Sequence, residues 1–298
     1  MRVPEPLRAG DRVAVVAPSS PFPRAQTLGG LAWLAQRYRV SIHADTFSKT
    51  GYLAGDDERR AGELARAMKD PDVRAIFAAR GGYGATRIVS RLPWDDFAKS
   101  PKWIVGFSDV TALHCAAISR GVACLHACNV GGFGARFPGA VAARASLMAS
   151  LERPNAPRVW EGLRALNRGA NARGVLFGGN LALLCAIATA KQLVVPDGAI
   201  VLLEDVTERP YRVDRMLTSL FEGGHFARAS ALLFGDFSQC DPGPDGVTIE
   251  DVLVSSAKAL SIPVYAGAPF GHGDRNEAFT IGASAEIRDG TLRWSGTT

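Results

Sequence analysis

Between residues 11 and about 150, short apolar, β-branched runs alternate with helical stretches of about 10–15 residues, and that rhythm leaves few folds open. Residues 13–17, 40–43, 73–79, 103–105 and 122–125 read as strands. Residues 24–37, 57–69, the stretch after Gly84 to about 91, and 109–119 read as helices. Asp56 is placed to cap the helix at 57–69, and Asp70-Pro71 to stop it. Strands alternating with helices imply an α/β domain with a mostly parallel sheet covered on both faces. Ligands of such sheets bind beyond the carboxyl ends of the strands. The loops at 18–21, 80–84, 106–109 and 126–134 are therefore the places to look for a site.

Residues 151–172 break the rhythm with Pro154, Pro157, Gly162 and Gly169, and read as a linker. Beyond it, strands are expected near 175–177, 199–203, 229–234, 263–265, 278–281, 285–287 and 292–294, with helices at 181–191 and 210–222. That part is a mixed sheet or small barrel. At roughly 100–200 residues per domain, a chain of 298 residues divides into two. Residues 1–150 form the N-terminal α/β domain and 173–298 a β-rich mixed domain.

Composition removes several classes of function. Apolar residues make up 47% of the chain and charged residues 21%, as in a globular protein. The longest uncharged run, residues 174–190, is broken by Gly178-Gly179-Asn180 and falls short of the ~20 residues of a membrane span. Residues 1–150 carry 20 Lys and Arg against 12 Asp and Glu, but no basic run of five exists. An anionic small substrate suits that half better than nucleic acid. The five cysteines form no C-x-x-C pair and no H-E-x-x-H occurs, so neither structural zinc nor another metal is expected. Reduced thiols, and an apolar stretch at 13–17 too short for a signal sequence, lead to the expectation of a cytoplasmic protein.

The most informative local text is Val105-Gly-Phe-Ser108-Asp-Val-Thr-Ala-Leu113. A serine between strand and helix, on a turn of small residues, is lifted above the sheet as in a nucleophile elbow, with free helix N–H groups nearby. The same serine could equally be the N-cap of the helix at 109–119. A serine nucleophile needs a base and an orienting carboxylate. His43 and His225 read as surface or capping residues, and His114 faces away from Ser108 inside the following helix. His126, ending a strand, and His272, between Gly271 and Gly273, both qualify as base. Glu204 and Asp205 close a hydrophobic strand, either as the carboxylate partner or as charges capping the next helix. Gly81-Gly82-Tyr83-Gly84 matches no nucleotide-binding pattern completely, but such a loop can donate an N–H to an oxyanion.

These segments, together with Val15-Val-Ala-Pro-Ser19, Gly178-Gly-Asn-Leu181, Glu208, Tyr211, Asp214, Arg215 and Ile281-Gly282, resemble the L,D-carboxypeptidases of peptidase family S66 over almost the whole chain. That family includes muramoyltetrapeptide carboxypeptidases and microcin C immunity proteins. The resemblance implies an N-terminal α/β sandwich, a C-terminal β-rich domain and an active site in the cleft between them. It implies Ser108 as nucleophile, His272 as base and Glu204 as its partner, with the N–H groups of Gly82 and Asp109 as oxyanion hole. No cofactor is implied; the substrate is a murein tetrapeptide losing its terminal D-Ala, and the family precedent is a homodimer. Arg80 is a candidate for binding substrate carboxylates, unless it pairs with a neighbouring acid, and Asn180 is either a substrate amide contact or a turn residue. Two departures stand out: His126-Ala127-Cys128 replaces the usual His-Gly-Pro, and Thr280 stands where Pro commonly precedes Ile-Gly. Alternatives within the resemblance are a microcin-immunity-type hydrolase of aminoacyl nucleotides and a binding protein without catalysis. The first needs an exposed aromatic for adenine, and Trp160, in the linker, reads rather as a buried anchor.

Overall fold

The run after Asp11 forms the pivot of a six-stranded sheet. The computed structural model describes residues 1–134 and 137–296, and the chain falls into two units. The first comprises Met1–Pro154 with Asn276–Ile281, and the second Asn155–Arg275 with Gly282–Thr298.

In the first unit the elements follow as β1 (Arg12–Val16), α1 (Arg24–Ala35), β2 (Arg39–Ile42), α2 (Asp57–Lys69), β3 (Val73–Ala78), α3 (Ala85–Ile88), α4 (Trp94–Lys99), β4 (Trp103–Gly106), α5 (Thr111–Ile118), β5 (Cys124–His126), α6 (Val130–Phe133) and α7 (Ala140–Glu152). Strands β5, β4, β3, β1 and β2 lie side by side in that order, all parallel. The chain leaves β1 in one direction for β2 and then returns to the other side for β3, which places a switch point between β1 and β3. Such a switch point opens a crevice at the carboxyl ends of an α/β sheet. The core is built on Val13, Val15, Phe77, Trp103, Val105 and Leu125, with Phe133 and Leu147 from helices packed on them. Asp56 caps α2 as expected, its Oδ1 accepting the Arg59 N–H at 2.8 Å.

The second unit holds β6 (Arg158–Trp160), β7 (Arg164–Ala165), β8 (Ala172–Asn180), α8 (Leu181–Thr189), β9 (Ile200–Val206), α9 (Pro210–Glu222), β10 (Ala231–Ser238), α10 (Ile249–Lys258) and β11 (Val264–Ala266). After β12 (Phe279–Ile281), which belongs to the first unit, it closes with β13 (Ser284–Arg288) and β14 (Thr291–Ser295). Its eight-stranded sheet runs β6-β14-β13-β8-β9-β10-β11-β7. Strands β8 to β11 are parallel and the outer four antiparallel, so the expected mixed sheet is present with a βα-repeating centre. Helix α10 completes that repeat; its capping box, Thr248 with Asp251, is a start signal that the strand-centred reading of this part passes over.

Two expectations need correcting. Residues 151–172 are not a bare linker, because they contribute β6 and β7 to the second sheet. Trp160 draws the stretch in: its ring lies 4.8 Å from that of Trp294 and 5.9 Å from that of Phe270, and Leu163 and Leu166 are buried beside it in sequence. Nor do residues 173–298 form one uninterrupted domain, since β12 pairs antiparallel with β5, setting Phe279 opposite His126. Ala278 joins the first core, and its N–H donates to Ser146 Oγ at 2.9 Å. Among the described residues no helix is long and apolar enough to cross a membrane.

Candidate active site

Ser108 stands just past β4, where a single 3-10 turn, Ser108–Val110, leads into α5. Its φ is +66°, a left-handed conformation that costs a non-glycine residue of order 1–3 kcal/mol. A serine serving only as helix cap would have extended backbone and a side chain on the helix N–H groups. Here Phe107 and Val110 hold the cap positions of the turn and of α5, and neither start is capped by a side chain. The helix-cap reading of Ser108 is thus not what the structure shows. Gly106 makes the turn possible, since a Cβ there would lie 2.8 Å from Asn129 Oδ1 and 2.9 Å from a Val110 methyl. Asn129 in turn accepts the Phe107 N–H at 3.3 Å, a support that nothing in the sequence singled out.

The loop after β3 lies directly against this serine. A Cβ on Gly81 would sit 2.9 Å from Ser108 Cβ and 3.0 Å from its Oγ. Gly82 has φ +103°, and a Cβ there would collide with Ser20. Ser20 fastens the loop after β1 to this one: its N–H donates to the Gly81 carbonyl at 3.2 Å, and its Oγ accepts the Tyr83 N–H at 3.1 Å. Asp109 has a fully buried side chain whose Oδ2 accepts the Ala85 N–H at 2.8 Å. Burial pushes that carboxyl up, against hydrogen bonds from Ser19 and Ala85. Gly82 and Asp109 thus stand on the two loops that meet at Ser108, in a setting built from backbone groups.

In the second unit the candidate residues meet through side chains. Glu204, at the end of β9, is fully buried, and its Oε2 lies 2.6 Å from His272 Nδ1. Asp205 points the other way, as neighbours on a strand do. It takes the Ala182 N–H at 2.9 Å and Asn180 Nδ2 at 3.0 Å, so it serves the start of α8; α9, which follows it, has no side-chain cap. Burial pushes the Asp205 carboxyl up to about 6. Burial pulls His272 down, but the hydrogen bond and charge of Glu204, aided by Asp205 and Asp236, outweigh it and leave the imidazole above its usual 6.5. The glycines beside His272 do more than keep the ring reachable. A Cβ on Gly273 would lie 1.6 Å from Asp236 Oδ2, and one on Gly271 would lie 2.9 Å from Asp236 Cβ and 3.2 Å from Glu204 Cβ. Asp236, whose N–H donates to the Phe270 carbonyl at 2.9 Å at an irregularity in β10, is a seat for the loop that the sequence did not reveal.

His126 is fully buried in the first unit, stacked on Phe279 at 4.6 Å and edge-on to Phe107. His114 is buried and pushed down to about 3 by desolvation, so it stays neutral. Arg80 is exposed and donates to the Pro21 carbonyl at 2.6 Å rather than to an acid. Asn180 is a turn residue: its Oδ1 accepts the Leu183 N–H at 3.1 Å and caps α8 while its Nδ2 donates to Asp205. Only 4% of its surface is exposed, and these bonds are those of the turn role.

Residues 13–127 match the LD-carboxypeptidase N-terminal domain of peptidase family S66, and residues 173–287 match the C-terminal domain of the same family. The chain belongs to the LD-carboxypeptidase family and is a peptidase of that class, as its sequence motifs imply. Among its relatives, the murein tetrapeptide carboxypeptidase of Pseudomonas aeruginosa is 32% identical over 295 residues, covering 95% of each chain. The crystal structure of muramoyltetrapeptide carboxypeptidase from Oxalobacter formigenes aligns with a TM-score of 0.85 at 28% identity, covering 96% of this chain and 100% of that one. Microcin C7 self immunity protein MccF in its wild-type apo state aligns at 0.90 with 19% identity, over 100% of this chain and 99% of that one, and so shares the fold.

Proposed function

We propose that this peptidase is a serine L,D-carboxypeptidase that releases the terminal D-Ala from murein tetrapeptides in cytoplasmic peptidoglycan recycling. The observation that carries the serine assignment is the backbone of Ser108, held at φ +66° between a strand and a helix with Gly81 against its side chain. A strained, half-buried serine with no capping duty is what a nucleophile elbow requires. In this reading Glu204 keeps a proton on His272 Nδ1, which leaves Nε2 of the neutral ring to act as base. Nε2 takes the Ser108 proton as Oγ attacks the carbonyl joining the L-centre of the diamino acid to D-Ala. The N–H groups of Gly82 and Asp109 stabilise the oxyanion, and D-Ala departs with the proton from His272. Water then releases the acyl group by the same steps in reverse. Arg80, exposed on the loop beside Ser20, supplies a guanidinium for a substrate carboxylate. Trp160 is buried against Trp294 and Phe270, which supports the carboxypeptidase reading over one that needs that ring for a nucleobase.

The test is mass spectrometry of L-Ala-D-Glu-diaminopimelate-D-Ala after incubation with the wild type and with Ser108→Ala. Wild-type loss of one D-Ala, reduced by at least about 10³-fold in the variant, is the expected result. Turnover that survives Ser108→Ala would show that the serine is not the nucleophile. No turnover by folded wild type would redirect the search to aminoacyl-nucleotide substrates.

A further inference from the structure

Arg60, in the middle of α2, is fully buried, and a guanidinium is among the costliest groups to take out of water. One of its terminal nitrogens reaches two loops far from it in sequence. Nη1 donates to the Pro18 carbonyl, in the loop after β1, and to the Gly84 carbonyl, in the loop after β3, the latter at 2.7 Å. Nη2 donates to Asp57, which also receives Arg87 in a two-pronged pair at 2.9 and 2.8 Å. Gly84 has φ +129°, and a Cβ there would lie 2.7 Å from Arg60 Nη1, so the close approach of the guanidinium depends on glycine.

The Gly84–Ala85 peptide is consequently gripped at both ends. Arg60 holds its carbonyl, and the buried Asp109 carboxylate holds its N–H at 2.8 Å. Asp109 directly follows Ser108, and Gly82 lies two residues before the gripped peptide. With Ser20 bonded to Gly81 and Tyr83, the segment that carries the Gly82 N–H is fixed from α2, from the loop after β1 and from the serine turn.

We propose that Arg60 is a positioning residue for hydrolysis: through the Pro18 and Gly84 carbonyls it sets where the Gly82 N–H stands relative to Ser108. The inference rests on the serine-hydrolase reading above, and it concerns geometry alone, since Arg60 touches neither substrate nor reacting atom. The test compares wild type with Arg60→Met, which keeps the aliphatic stem and removes every donor, and with Arg60→Lys, which keeps the charge and fewer donors. The rate of Ser108 labelling by a fluorophosphonate and the kcat and KM for D-Ala release are measured on protein whose fold is checked by circular dichroism.

Arg60→Met should lose about 10²-fold in labelling rate and in kcat, the scale of one oxyanion donor, while KM changes less than about three-fold. Arg60→Lys should recover part of that loss. Folded Arg60→Met with labelling and kcat within about three-fold of wild type overturns the proposal, as does a loss confined to KM. If Arg60→Met does not fold, Arg60→Lys decides, an unchanged kcat and labelling rate again overturning it. Wild type that a fluorophosphonate does not label sinks the serine reading and this inference with it. Labelling without D-Ala release rejects only the substrate, and the labelling rates still judge Arg60.

Discussion

The two units hold their candidate residues by opposite means. Around Ser108 the candidate groups are backbone N–H groups and one hydroxyl on tight turns, braced by the buried charges of Arg60 and Asp109. Around His272 the candidate groups are ionisable side chains, Glu204 near the end of a regular strand and His272 on a loop, and the backbone is the support, with glycines letting that loop lie on Asp236 and Glu204. A site made of backbone geometry is damaged by displacement, and one made of coupled ionisable groups by any change in protonation. Substitutions in the first unit should therefore lower the rate without moving its pH dependence. Those in the second should do both.

Glu204→Gln gives the largest expected effect that separates the two. The imidazole of His272 stands above its usual 6.5 because Glu204 overcomes the effect of burial, so the acid limb of kcat/KM should lie above pH 6.5. Gln is isosteric but cannot favour the imidazolium. The limb should move to lower pH and kcat should fall by about 10³-fold or more. Stability should follow with the sign that linkage requires. A raised imidazole contributes stability that is full below its unfolded pKa and is lost as pH rises through the folded one, and Glu204→Gln should flatten that loss. Asp205, pushed up to about 6, acts in the same sense lower down, since the folded state holds its proton over a window where the unfolded chain has released it. Rate profiles and thermal midpoints from pH 5 to 9 provide the check. An unmoved acid limb would remove His272 from the role of base.

A pair of glycine substitutions sharpens the contrast at intermediate scale. In Gly81→Ala the new methyl meets Ser108 Cβ and Oγ at 2.9 and 3.0 Å, so nucleophile or loop must shift. A displacement approaching 1 Å is worth about 10²-fold in rate, with the acid limb unchanged. In Gly273→Ala the methyl would lie 1.6 Å from Asp236 Oδ2, which drives the His272 loop away from Glu204. Here the limb should fall in pH along with the rate. Adding Asp236→Ala removes the clashing carboxylate and should restore part of both, a coupling that a double-mutant cycle measures directly. If both glycine variants shift the pH profile alike, the distinction between the units fails.

The sequence made this division partly visible. Ser108 lies on the strand-to-helix turn that its Gly-x-Ser context suggests, and Glu204 and His272 are in contact although 68 residues apart. What escaped was whatever depends on a distant backbone partner. Arg60 reads as one of many arginines on an amphipathic helix; its meaning lies in carbonyls 42 and 24 residues away. Asn129 and Asp236 act likewise, through an N–H and a loop that no local pattern couples to them. The same blindness explains β12, whose apolar run predicts a strand but not that it pairs with β5, more than 150 residues earlier by rough count, and so joins the first unit. Trp160, by contrast, read correctly as a buried anchor, yet the prolines and glycines around it hid the two short strands.

The smallest effect tests the strain itself. At φ +66°, serine and alanine pay alike for a Cβ in the left-handed region, whereas glycine does not. Neither Ser108→Ala nor Ser108→Gly can act as nucleophile, so the two differ only in backbone freedom. Ser108→Gly should be the more stable by about 1 kcal/mol, a net figure because glycine also gains entropy in the unfolded chain. Urea midpoints of the two variants, compared at equal m-value, measure it. Equal stability, or a more stable alanine variant, would mean that the turn holds no strain at Ser108. The serine would then owe its orientation to Gly81 and Asn129, and the contrast between the units would rest on their neighbours alone.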